Sequence, residues 1–154
     1  MHRLILFVAA LFVCASPFAR AQSSNADDSA VIAFAQKAAI RAANCRQGDL
    51  ASLTDAQADF TADGWKDFIK HMEGFLDAKG APTFSATFTP LRDGTLVEQK
   101  EGVAHVRIPG TLKQTQNQSG TTYRAALEVY VAGTPMKIQR LEQITCAGAS
   151  KDCQ

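Results

Sequence analysis

Residues 59–76 read DFTADGWKDFIKHMEGFL. Thr61 suits the cap of a helix, because its side-chain oxygen can accept a hydrogen bond from an unsatisfied N–H of the first turn. Phe60 stands just before that cap, and Trp65, the only tryptophan of the chain, four residues into the helix. That is the spacing of a hydrophobic staple, which fixes the angle at which the chain enters the helix. Asp63 in the first turn complements the positive helix end. Trp65, Phe68, Ile69, Met72, Phe75 and Leu76 then fall on one stripe, and Lys66, Asp67, Lys70 and Glu73 on the other face. Aromatics at this spacing read as core, so the stretch predicts an amphipathic helix that packs on something apolar.

Upstream, Val31, Phe34, Ala35, Ala38, Ala42 and Cys45 recur at helical spacing from Ala30, with Gly48 as the stop. This face is narrow and alanine-rich, so it can approach a sheet closely. DLASLTDAQAD, residues 49–59, reads as a connector with some helical tendency. Downstream, KGAP at 79–82 ends the second helix and the period changes from 3.6 to 2. Phe84, Ala86 and Phe88 share one side of a strand. An Asp-Gly turn opens the next, and in GVAHVRIPGTLKQTQ residues Val103, His105 and Arg107 alternate with Ala104, Val106 and Ile108. Pro109-Gly110 predicts a bulge or an edge there. NQSG, residues 117–120, is a turn, although Asn117-Gln118-Ser119 also fits a glycosylation sequon. Two further alternating stretches complete four or five antiparallel strands. Helices gathered first and strands after them predict an α+β domain, with a curled sheet wrapped on its helices.

The front of the chain sets the compartment. His2 and Arg3 precede an apolar run over 4–15, Pro17 breaks it, and Ala19-Arg20-Ala21 follows. This is the pattern of a secretory signal cleaved after Ala21, and the run is shorter than the ~20 residues that a membrane-spanning helix needs. Cleavage predicts a periplasmic protein with a flexible leader over 22–29, one domain over 30–146 and a polar tail over 147–154. It removes Arg3 and Arg20, so the 16 Lys and Arg become 14 against 15 acids, a net charge of −1. Nothing in that balance favours nucleic acid or an anionic membrane surface as a partner, since both need a basic patch.

Cys45, Cys146 and Cys153 remain in the mature chain. In an oxidising compartment three cysteines predict one pair and one leftover. A Cys45–Cys146 bridge closes a loop of about 100 residues and stabilises by roughly 4–5 kcal/mol in the chain-entropy model; Cys146–Cys153 is the local alternative. No CxxC stands in the mature chain and His71 and His105 are isolated, so no metal and no cofactor is expected. There is no GxSxG and no phosphate-cradling glycine loop. The acids Asp55, Asp59 and Asp63 recur every four residues and read as a solvated edge. The residues predict a domain without catalytic machinery, with room for a pocket between sheet and helices.

The helix motif carries a resemblance. Phe60-Thr61, then Gly64-Trp65, then Phe68, after an alanine-rich helix and before strands with VRIPGTL, resemble the DotI/IcmL family of type IVB secretion components, related to the conjugation protein TraM. Val106, Ile108 and Pro109 match the family's later V-x-V-P-like strand, and Pro135, Met136 and Ile138 its closing turn. The likeness covers residues 30–146. It implies a cone-shaped nuclear-transport-factor-2-like domain in the periplasm. Such a domain acts as a scaffold that self-associates or binds other envelope and secretion-system subunits, and the resemblance implies no enzyme activity. The family's secretion-core members keep an inner-membrane helix before this domain. Here a cleaved signal stands in its place, which implies an accessory subunit with no stable membrane anchor. The alternative is a free periplasmic small-molecule-binding or enzymatic domain that uses the cone, with His105 or Arg107 facing inward.

Overall fold

A computed structural model describes residues 24–146, with side chains from residue 27. The expected signal peptide over 1–21 and the tail over 147–154 lie outside the described residues. Three helices come first, α1 (Ser24–Ala43), α2 (Leu50–Gln57) and α3 (Ala62–Met72), and five strands follow: β1 (Ser85–Pro90), β2 (Thr95–Lys100), β3 (Val103–Gln116), β4 (Ser119–Ala132) and β5 (Lys137–Thr145). All strand pairs are antiparallel, in the order β1-β3-β4-β5, with β2 on the same side of β3 as β1. The fold is α+β, helices on one face of one sheet.

Two helix boundaries differ from the sequence reading. Residues 24–29 of the expected leader form the first turns of α1. The connector forms α2, because the Asp49 side chain accepts from the Ser52 N–H and supplies a cap. Its Leu53 and Ala56 are buried. At its other end α1 stops at Ala43, short of Cys45. Asn44 and Cys45 instead line the free edge of β1: the Phe88 N–H donates to Asn44 Oδ1 (2.6 Å) and the Ala86 N–H to the Cys45 carbonyl (2.7 Å). This protects the edge from pairing with another chain.

The alanine face packs as expected. Ala35, Ala38, Ala39 and Ala42 of α1 are buried against Phe84, Phe88, Val106, Ile108, Leu127 and Val129 of the sheet. The β3–β4 register runs without interruption from Val103↔Ala132 to Gln116↔Ser119, closed by Asn117-Gln118 with φ of 50° and 67°. That two-residue turn has the positive φ values a tight hairpin requires. Of the bulge or edge expected at Pro109-Gly110, the register shows no bulge. β2 pairs with residues 103–107 of β3 and β1 with residues 110–115, so Pro109 falls at the seam between them, where its missing N–H costs little. The register shifts are instead at Leu96/Glu98 and Tyr130/Val131. Gly110 is required beside the seam, because the Phe88 ring lies 2.2 Å from where a Cβ would stand.

Candidate functional site

The opening motif seats α3 on the edge of the sheet. Thr61 Oγ1 accepts from the Gly64 N–H (3.0 Å), which caps the helix. The Thr61 N–H donates to the Ile138 carbonyl (2.9 Å) and the Ile138 N–H to the Asp59 carbonyl (2.8 Å), so residues 59–61 form a short parallel bridge to β5. Arg41 of α1 pairs with Asp59 across 3.2 Å, and Lys137 Nζ donates to the Ala58 carbonyl. Gly64 then lies against β5 itself: a Cβ there would sit 2.6 Å from both the Ile138 and Gln139 carbonyl oxygens. Only glycine lets the first turn come this close.

Phe60, Trp65 and Phe68 make one aromatic group. Phe60 is buried, its ring edge-on to Trp65 at 5.4 Å and tilted to Phe68 at 5.3 Å, and Trp65 lies 5.4 Å from Phe68. The staple spacing therefore corresponds to a ring contact. The stripe as a whole is not deep core, however. Trp65, Phe68, Ile69 and Met72 are half-buried and Phe75 is 47% exposed. The helix packs on β5 near an edge of the sheet rather than across its middle, so its apolar face keeps one flank in solvent.

His105 and Arg107 do not face the helices. They lie on the opposite side of the sheet from Val106 and Ile108, where the register brings them to Tyr130 and Glu128 of β4. Glu128 is 2% exposed, the one buried charged residue among those described. His105 Nε2 lies 2.5 Å from its Oε2, and Arg107 Nε donates to its Oε1 at 2.5 Å. The His105 ring stacks on Tyr130 with centroids 4.4 Å apart, and Arg140 of β5 lies over the other side of the cluster, 5.4 Å from the Tyr130 ring and paired with Glu142. A buried carboxylate held by the Arg107 guanidinium and in contact with the His105 ring is a satisfied structural charge. It corrects the reading that put His105 or Arg107 inside the cone. Sequence reasoning missed Glu128, Tyr130 and Arg140.

Between the helices and the sheet, Phe88, Val106, Ile108 and Val129 belong to the buried core. Towards the C-terminal ends of α1 and α3 the layers part around a cavity of about 630 Å³, with Cys45, Phe84, Leu127, Met72 and Tyr123 on its wall. Cys45 is a free thiol, which rules out the Cys45–Cys146 bridge. Burial pushes its pKa up from 9.0 to about 11. Cys146 Sγ lies 3.9 Å from the Ile144 carbonyl, and the Cys146–Cys153 alternative involves a residue outside the described residues. No group of three or more potential metal ligands gathers among the described residues, and none of their helices is long and apolar enough to cross a membrane.

No protein-family model and no curated protein matches the chain. The fold does match solved structures of type IV secretion and related proteins. The periplasmic domain of DotI is similar at a TM-score of 0.62 and 20% identity, over 75% of this chain and 94% of that one. An IcmL-like type IV secretion system protein from Legionella pneumophila is similar at 0.63 and 10% identity, over 80% of this chain and 96% of its own. A periplasmic fragment of TraM is similar at 0.54 and 13% identity, over 80% and 99%. At these identities the likeness establishes the shared nuclear-transport-factor-2-like fold.

Proposed function

We propose that the chain is a non-catalytic periplasmic accessory subunit of a type IVB secretion or conjugation-like apparatus, of the DotI/IcmL kind, acting through protein–protein contacts. The observation that carries this reading is the α3–β5 junction. The five residues that resemble the DotI/IcmL motif, Phe60, Thr61, Gly64, Trp65 and Phe68, meet at one junction as a cap, a close approach and an aromatic group. They build a shape and carry no reacting group, which suits a scaffold. The near-complete coverage of the DotI, IcmL-like and TraM domains supports the same reading.

The signal sequence fits delivery to the periplasm with cleavage after Ala21, so that the mature chain is held at the envelope by partners or by copies of itself. A deletion in the host tests the role. Loss of the gene lowers substrate transfer by the apparatus, and the chain supplied with its own leader restores it. Unchanged transfer in the deletion strain contradicts the proposal.

A further inference from the structure

We infer that the cavity between α1, α3 and the sheet is a binding site for a small neutral amphiphile, with an apolar body and an uncharged head that both donates and accepts hydrogen bonds. A scaffold role does not require it, so the two proposals stand or fall separately.

The cavity follows from the sequence. Ala42 and Ala43 at the end of α1 and Ala86 on β1 are small where the two layers diverge, and no large side chain replaces them. Its volume, about 630 Å³, falls in the ~300–1,000 Å³ range of small-molecule sites. The inner face of the sheet is apolar along most of its length, but beside the cavity it changes. Gln114, Tyr123 and Gln143, on three successive strands, form a hydrogen-bonded row: Tyr123 Oη donates to Gln114 Oε1 at 2.9 Å, and Gln143 Nε2 donates to Tyr123 Oη at 3.0 Å. These bonds leave the Gln114 amide N–H groups and the Gln143 carbonyl without a partner in the row. The row therefore offers a donor at one end and an acceptor at the other. A primary amide or an alcohol can pair with either end without carrying charge.

Charge excludes the alternatives. Among the described residues the wall holds no Lys or Arg to meet a carboxylate or phosphate. His71 Nδ1 is engaged with the Asp67 carbonyl at 2.8 Å, and Glu142 with Arg140. A charged head would lose its hydration without a partner, which costs far more than one hydrogen bond returns.

Fluorescence titration of the full mature chain with N-phenylnaphthylamine, a neutral aromatic probe, tests the site. Binding saturates at one probe per chain. Decanamide displaces the probe at concentrations at least about tenfold lower than decanoate or decyltrimethylammonium of the same chain length, all below their micellar range. Gln143→Ala, which removes the free acceptor at one end of the row, weakens decanamide on the order of fivefold, the value of one hydrogen bond. Ala43→Leu fills the space and lowers probe binding at least about tenfold. If that variant melts early, Gln143→Trp blocks the same space from an exposed position and gives the same loss. Absence of saturation, equal displacement by a charged amphiphile, or wild-type binding by a folded blocking variant overturns the inference.

Discussion

At Gly64 two backbone carbonyl oxygens stand where a side chain would begin. The cap at Thr61 and the ring contact of Phe60 with Trp65 fix the same helix turn from its other sides. Gly64→Ala raises helix propensity but forces α3 off β5, and the second effect dominates because backbone, not a flexible side-chain tip, must move. The substitution costs about 2–3 kcal/mol of stability by denaturant unfolding, the scale of an overpacked contact. A variant as stable as wild type contradicts the close approach. The cap and staple were legible in the sequence from spacing alone; the reason for Gly64 was not, because its partner is 74 residues away and belongs to β5. Cys45 makes a second prediction at this scale. Its folded-state pKa is raised, so the stability it contributes is full below pH 9.0 and is lost as pH rises towards about 11. The native chain therefore resists alkylation of this thiol at pH 8, and Cys45→Ala removes its share of the alkaline loss. Rapid labelling of the folded protein contradicts the buried thiol.

Among the elements, the β3–β4 hairpin organises the most. Its turn at Asn117-Gln118 was legible, and the register follows by counting back from the Gln116–Ser119 closing pair, which sets Arg107 opposite Glu128 and His105 opposite Tyr130. The signal that could have found the charged cluster was thus present, in the alternation of Leu127 and Val129 with Glu128 and Tyr130. A single strand does not reveal it, because the residue opposite comes only from the hairpin register. Glu128→Ala removes the buried carboxylate that both Arg107 and His105 contact. It costs about 3 kcal/mol, and Glu128→Gln costs less because the amide oxygen still accepts from Arg107. Equal melting of all three proteins contradicts the role given to the cluster. Pro109 carries a related lesson: proline marks a break in pairing, but whether that break is a bulge or a seam depends on two other strands that a local reading cannot place. The Trp65 stripe packs against the core yet stays half-buried, since periodicity shows which face is apolar and not how much of it a partner covers.

For the whole molecule, helices first and strands after them were enough to define an α+β domain, and the solved periplasmic domains share its fold. What distant fold likeness does not carry over is a partner, and the proposed role rests on the α3–β5 junction together with the secretory signal expected from the sequence. The most direct measurement is purification of the tagged protein at native level from gently solubilised envelopes, with mass spectrometry of what accompanies it. The account predicts secretion or conjugation subunits in a constant ratio to the chain. Recovery of the chain by itself, from the soluble periplasm, would contradict it.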